Sequence, residues 1–201
     1  MKLFYTAGAC SLSPHIVLHE IGLDFTAEKV DLAQKKTESG VDYFTINPKG
    51  QVPALLLDDG TLLTEGAVIV QYLADQAPES NLLPAVGSLS RYQALEGLNY
   101  VATELHKGFT PLFKPGTPDE YKVIVRERLD SQFNYLNTLF AKQPYLAGQR
   151  FTIADAYLFT VLRWTKPMQL DISKYAHLQA YFDRIASRPA VKATLSDEGL
   201  N

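Results

Sequence analysis

The sequence predicts an α/β domain followed by an all-α domain, and three observations carry that expectation. In residues 1–78, short apolar runs with strand periodicity alternate with helical ones. Residues 79–87 form a linker rich in Pro, Ser, Gly and Asn. From 88 to 201 the apolar positions recur at spacings of three and four.

Taken in order, "KLFYT" reads as a strand, with Leu3 and Tyr5 on one face and Phe4 on the other. Ser11 or Ser13 can cap the helix that follows. Pro14 suits its first turn, Ile16, Val17 and Ile21 form its apolar side, and Gly22 stops it. "FTAEKVDL" alternates again as a second strand, and "VPALLLDDGTLLT" is a hairpin turning at Asp58-Asp59-Gly60. "EGAVIVQYLADQ" is helical. The order read is β-α-β-α-β-β-α, a small sheet with helices packed on it.

"SLSRYQALEGLNYVATELHKGF" reads as one long helix whose apolar side holds Leu89, Tyr92, Leu95, Leu98, Ala102, Leu105 and Phe109. Thr117, Pro118 and Glu120 predict a capping box with proline at the first helical position. "FTIADAYLFTVLRW" repeats the device with Thr152 and Asp155. A last helix runs through "HLQAYFDRIASR" until Pro189 stops it.

Composition excludes several classes. The chain has 201 residues, 46% hydrophobic and 20% charged, which is too apolar for disorder. A net charge of -3 with scattered lysines and arginines offers nucleic acid or anionic lipid no footprint. The single cysteine precludes an internal disulfide and fits a reducing compartment. The N-terminus has no signal-peptide pattern, and no apolar run approaches the ~20 residues that span a bilayer. The expectation is a cytoplasmic globular protein without nucleic-acid or membrane partners.

Two stretches carry chemistry. In "GACSLSPH", Cys10 lies where a strand gives way to a helix, and the helix N-terminus stabilises a thiolate. Such positions lower a cysteine pKa from ~8.5 to about 3.5–7.5. The plain alternative is a structural cysteine. In "NPKGQVPALLLDDGTLLTEGAVIVQYL", Pro53 opens a strand and removes a ladder N–H. The Val52 edge therefore keeps its N–H and C=O for an extended peptide ligand. The Val52-Pro53 bond is also a candidate for the cis form. Thr64-Glu65-Gly66 begins a helix whose N–H groups can hold a carboxylate while Glu65 pairs an amine. An α-amino acid head group offers both charges on one carbon.

"GQVPALLLDDGTLLTEGAVIVQYL", with a thiol at the first strand–helix junction, resembles the thioredoxin-like glutathione-binding domain of the cytosolic glutathione S-transferases. "FTIADAYL" resembles the capping-box segment of their helical domain. With "GACSLSPHI" and "LNYVATELHKGFTPLF", the likeness is strongest to the bacterial beta class. The resemblance covers the whole chain. It implies a thioredoxin-like domain over 1–78, a linker over 79–87 and an all-helical domain over 88–201.

Site residues follow from the resemblance one by one. Cys10 would face the glutathione sulfur and form a mixed disulfide with it. The Val52 backbone would pair with the cysteinyl unit, Glu65 and Gly66 would hold the γ-glutamyl group, and Lys35 would reach the glycyl carboxylate. Asn99, Thr103, Glu104 and His106 would line the site from the helical domain, with some contacts coming from the second subunit of a homodimer. His106 would act beside Cys10 in catalysis: neutral, it accepts a thiol proton; charged, it steadies a thiolate. A hydrophobic electrophile would lie between the domains near Phe109, Pro111, Phe113 and Trp164. Glutathione is a substrate here and no cofactor is implied.

The residues themselves allow plainer readings. Asn99, Thr103 and His106 stand at i, i+4 and i+7, a polar stripe that also describes a solvated helix face. Tyr5 can donate to a thiolate, but strand aromatics are more often core. Ser11 can donate to a thiolate in the same way, but its plainer role is helix cap; Pro53 acts through the strand edge, and Lys35, beside Lys36, also reads as a solvated charge. His15, His19 and His177 show no metal-ligand spacing with each other or with Cys10, so no metal site is assigned. One departure stands out: the family usually places a serine where this chain has Gly66.

The activity implied is conjugation of glutathione to hydrophobic electrophiles, in the manner of detoxification, with thiol–disulfide exchange through Cys10 beside it. Reductive dehalogenation is a further variant. The rivals are a non-catalytic relative that binds hydrophobic ligands or a regulatory partner, and a thioredoxin-type oxidoreductase. The missing second cysteine argues against the latter.

Overall fold

The computed structural model describes residues 1–200, which form two compact units. One holds residues 1–83 together with the segment from Arg188 on, and the other spans 84–187.

In the first unit, β1 (Lys2–Tyr5), α1 (Leu12–Ile21), β2 (Thr26–Asp31), β3 (Lys36–Thr37), β4 (Ala54–Leu56), β5 (Leu62–Thr64) and α2 (Gly66–Gln76) follow one another. The sheet order is β3-β2-β1-β4-β5, with β1 and β2 parallel and the remaining pairs antiparallel. Alternation along β1 sends Phe4 into a cluster with Val30, Tyr43, Val52 and Ala54, and Leu3 to the opposite face. Residues 12–18 of α1 are all buried, so this helix is enclosed on every side. Gly22 ends it in the left-handed region, its N–H donating to the Leu18 carbonyl.

The expected second helix is absent. Its place is taken by β3 and one 3₁₀ turn at Tyr43–Thr45, capped by Asp42, whose carboxylate accepts from the Phe44 N–H. Pro48 and Gly50 follow at once, and proline pushes Asn47 out of helical conformation.

The second unit contains α3 (Leu89–Tyr100), a π-helical turn at Val101–His106, α4 (Lys107–Phe113), α5 (Asp119–Phe140), α6 (Ile153–Leu162) and α7 (Ala176–Ala186). The predicted single long helix is thus continuous but widened in the middle. The capping box read at Thr117 does not form. Pro118 itself is the N-cap of α5, and Asp119 and Glu120 sit in its first turn, where the helix dipole favours them. The box at Thr152–Asp155 does form, and every residue of α6 is buried. The Asp155 carboxylate accepts from Leu146 N–H (2.8 Å), Thr152 N–H (2.8 Å), Thr152 Oγ1 (3.1 Å) and Tyr181 OH (3.0 Å). Burial still pushes its pKa up to about 6.

After α7 the chain starts another helix, α8 (Pro189–Asp197), with proline at its first position. It packs against α1, so the end of the chain belongs with the N-terminal unit and not with a helical domain running from 88 to 201. Among the described residues, no helix is long and apolar enough to cross a membrane.

Candidate active site

The loop between β1 and α1 carries Cys10, and its shape comes from a short ladder of bonds. Ala9 N–H donates to the Thr6 carbonyl (3.0 Å) and Leu12 N–H to the Ala9 carbonyl (3.0 Å). Ser11, expected as a cap, occupies the N-cap position, but its backbone is helical (φ -62°, ψ -18°) and its side chain makes no bond to the helix. A cap residue needs extended backbone for its oxygen to reach the first turn. Instead the buried Ser11 Oγ accepts from Thr6 N–H (3.1 Å) and donates to the Thr6 carbonyl (3.2 Å), closing the loop on itself.

Glu198, at the end of α8, holds the same loop from outside. One carboxylate oxygen accepts from Gly8 N–H (2.9 Å), and the other meets His15 Nδ1 (2.9 Å) on α1. Both side chains are buried. Cys10 itself is half-buried, and its thiol donates to the Val52 carbonyl at 3.2 Å.

Val52 is placed by the loop before it. Asn47 Nδ2 (2.7 Å) and Tyr43 OH (2.9 Å) both donate to the Gln51 carbonyl, and Gly50 N–H donates to the Asn47 carbonyl (2.8 Å). Gly50 is required there: its φ is 60°, and a Cβ would stand 2.6 Å from Phe44 Cε1. The Val52-Pro53 bond is cis, as the sequence suggested.

Four non-glycine residues among those described have positive φ, and two of them, Lys35 (55°) and Glu65 (68°), are residues singled out above. Such conformations cost on the order of 1–3 kcal/mol and gather at ligand-binding positions. Lys35 Nζ donates to the Gly50 carbonyl (2.8 Å) and lies over the Phe44 ring, so it is tied to the loop that shapes Val52. Glu65 pairs with Lys49 (2.6 Å) with both side chains open to water, a pairing that an incoming amine displaces at little cost. The helical geometry of α2 leaves the Gly66 and Ala67 N–H groups without an intrahelical acceptor. Tyr5 is half-buried against the His15 ring, and burial foremost, then Glu198, raises its pKa.

On the helical unit the polar stripe comes apart. Asn99 and Thr103 are exposed, and Thr103 Oγ1 donates back to the Asn99 carbonyl (3.1 Å). Glu104 pairs with Arg128 (2.7 Å). His106, at the end of the π turn, is drawn inward instead. Its Nδ1 is hydrogen-bonded to the Tyr157 hydroxyl, and its ring meets Trp164 edge-on at 4.9 Å. Burial, with Lys107 nearby, lowers the His106 pKa to about 4, so it is neutral at pH 7 and the reading of it as a cation does not hold. Phe109 is fully buried against Trp164 and Phe133, which makes it core and not a pocket wall, whereas Phe113 is exposed. Pro111 lines a cavity of about 520 Å³ with Thr110, Lys114 and Tyr121.

Sequence reasoning missed Tyr157, Asp197 and Glu198. It also misread His15 and His19: four residues apart on α1, they share a face, and Asp197 joins them. The i, i+4 pair was legible in "HIVLH"; the two acidic residues gave no local signal.

The fold and the thiol-bearing loop define a thioredoxin-like unit joined to a helical one. Residues 7–76 match the family model described as the glutathione S-transferase N-terminal domain, and residues 100–189 match that of its C-terminal domain. The chain is 59% identical over the full length of both chains to glutathione S-transferase GstA of Escherichia coli O157:H7. It is 36% identical, again over both full lengths, to glutathione S-transferase GST-4.5 of Xanthomonas campestris. A sphingomonad glutathione S-transferase solved in complex with glutathione superposes with a TM-score of 0.96 at 49% identity, covering all of both chains. A beta-class enzyme of Sphingomonas chungbukensis gives 0.96 at 46%, with the same coverage. This chain belongs to the glutathione S-transferase family of enzymes and is similar to its bacterial beta class; that family takes glutathione as a substrate.

Proposed function

We propose that the protein activates the thiol of glutathione for attack on hydrophobic electrophiles, and that Cys10 adds thiol–disulfide exchange. The observation that carries this reading is the 3.2 Å contact between the Cys10 thiol and the Val52 carbonyl. It sets a nucleophile against the backbone edge with which an extended peptide would pair. Laid along that edge, glutathione places its γ-glutamyl carboxylate at the Gly66 and Ala67 amides, its amine near Glu65 and its glycyl carboxylate toward Lys35. Its cysteinyl sulfur then falls beside Cys10.

For exchange, the Cys10 thiolate attacks the glutathione sulfur of a mixed disulfide, forming a Cys10–glutathione disulfide and releasing the other thiol. A second glutathione thiolate then attacks that bond, giving glutathione disulfide and restoring Cys10. His106, neutral at pH 7, takes part as a hydrogen-bonding group and not as a charge. Asn99, Thr103 and Glu104 are proposed to contribute from the helical unit. A homodimer and a cytoplasmic location complete the reading.

The test is glutathione-dependent turnover of an activated aryl halide and of a mixed disulfide, in wild type and Cys10→Ala. Loss of disulfide turnover with conjugation retained is the expected result. Absence of turnover by wild type in both assays refutes the enzymatic reading.

A further inference from the structure

A second cluster of chemistry-bearing side chains lies on the N-terminal unit where α1 meets α8, and nothing in glutathione chemistry uses it. His15 and His19 present their Nε2 atoms on one face of α1, and Asp197 of α8 points at both. Its Oδ2 is 2.9 Å from His19 Nε2 and 4.0 Å from His15 Nε2, and the three ligand atoms all lie within 4.8 Å of one another. We propose that these residues form a binding site for one divalent transition-metal ion of the zinc type.

Four features favour a metal over a mere hydrogen-bonded cluster. The donor set, two imidazole nitrogens and one carboxylate oxygen, suits Zn²⁺ or Co²⁺ and leaves a fourth position for water. His15 Nδ1 faces the Glu198 carboxylate at 2.9 Å, which fixes the ring so that Nε2 is the nitrogen turned toward Asp197. That is how outer carboxylates orient metal-ligating histidines.

The two rings are also held together. They stack at 5.3 Å and 26°, and Phe25 sets its edge against both, at 5.5 and 5.4 Å. Finally, the site is graded from rigid to open. His15 is 2% exposed, His19 24% and Asp197 53%, so an ion has an entry path from the Asp197 side. Metal bonds of about 2.0–2.2 Å leave ligand atoms about 3.3 Å apart in a tetrahedron. The closure required is within reach of the exposed Asp197 side chain. Bound there, the ion fastens α8 to α1 and, through Glu198, backs the loop that carries Cys10.

The test uses the full chain stripped with a chelator and titrated with Zn²⁺ by calorimetry and with Co²⁺ by visible absorption. The Cys10→Ala protein is run in parallel, because a thiol alone binds both ions. Expected are one equivalent per chain, low-symmetry cobalt absorption retained in Cys10→Ala and His177→Gln, and at least tenfold weaker binding in His19→Gln and in Asp197→Asn. His15 is left intact because it is buried, and circular dichroism confirms that the two variants fold. No binding, binding that disappears with Cys10→Ala, or binding unmoved by both His19→Gln and Asp197→Asn overturns the proposal.

Discussion

Gly66→Ser places at the start of α2 the hydroxyl that the family resemblance leads one to expect there, and its effect can be worked from the structure. Gly66 is the first helical residue, and a Cβ there meets Pro53 Cγ at 3.5 Å and Cδ at 3.8 Å. Those are ordinary contact distances, so serine enters without moving the backbone. One added hydrogen bond to a bound carboxylate contributes about 1 kcal/mol net, which is a roughly fivefold lower Kd for glutathione. Replacing glycine also favours the helix, by about 0.5 kcal/mol for serine and about 1 kcal/mol for alanine. Gly66→Ala therefore separates the two effects. Calorimetric titration with glutathione should show tighter binding for serine only, whereas thermal unfolding should show both variants stabilised. Equal affinities for the serine and alanine variants, or weaker binding by serine, would refute the placement of the γ-glutamyl carboxylate at this helix start.

Stability against pH should expose two buried groups that oppose each other. His106 has its pKa lowered from 6.5 to about 4 in the folded state, so between those values only the unfolded chain binds that proton and stability rises with pH, by about 3 kcal/mol in all. Asp155 is raised from 3.8 to about 6, so in that window only the folded chain keeps its proton and stability falls as pH rises, by a similar amount. The two nearly cancel between pH 4 and 6. Urea unfolding of His106→Asn should show a loss relative to wild type that grows by about 3 kcal/mol from pH 4 to 6.5, and parallel curves would contradict the lowered pKa of His106. Glu198→Ala removes the carboxylate that meets Gly8 N–H and the buried His15 Nδ1, and should cost about 3 kcal/mol, read from the urea midpoint. Glu104→Gln breaks only an open pair with Arg128 and should change stability by less than about 1 kcal/mol in the same measurement.

Local signals were legible wherever local physics decides. The hairpin at Asp58-Asp59-Gly60, the stop at Gly22 and the box at Thr152–Asp155 were all readable because turn residues and caps act over a few positions. Thr117 failed for a related reason. With Pro118 beside it, two neighbouring residues competed for the same cap, and one-residue shifts at helix starts are weakly determined. The stripe Asn99, Thr103, His106 failed because strict α-periodicity was assumed, and the turn at Val101–His106 is π-helical. That widening separates an exposed Thr103 from a His106 turned in to Tyr157, and no residue in "VATELH" announces it.

The position of Cys10 is the clearest case of a site that its own neighbourhood does not determine. Strand, loop and helix were readable from "KLFYTAGACSLSPH", and they suffice to put a thiol near a helix start. They do not hold it there. Gly8 N–H and His15 Nδ1, on either side of Cys10 in sequence, both find their acceptor on Glu198, more than 180 residues away. Leaving the buried His15 Nδ1 unsatisfied costs more than a local sequence preference contributes. The third constraint, the Val52 carbonyl that accepts the thiol's hydrogen bond, comes from a loop set by Asn47, Tyr43 and Gly50. The last helix therefore belongs with the first for a chemical reason: α8 ends by supplying one carboxylate that meets both a backbone N–H of the loop bearing the nucleophile and the buried imidazole of α1.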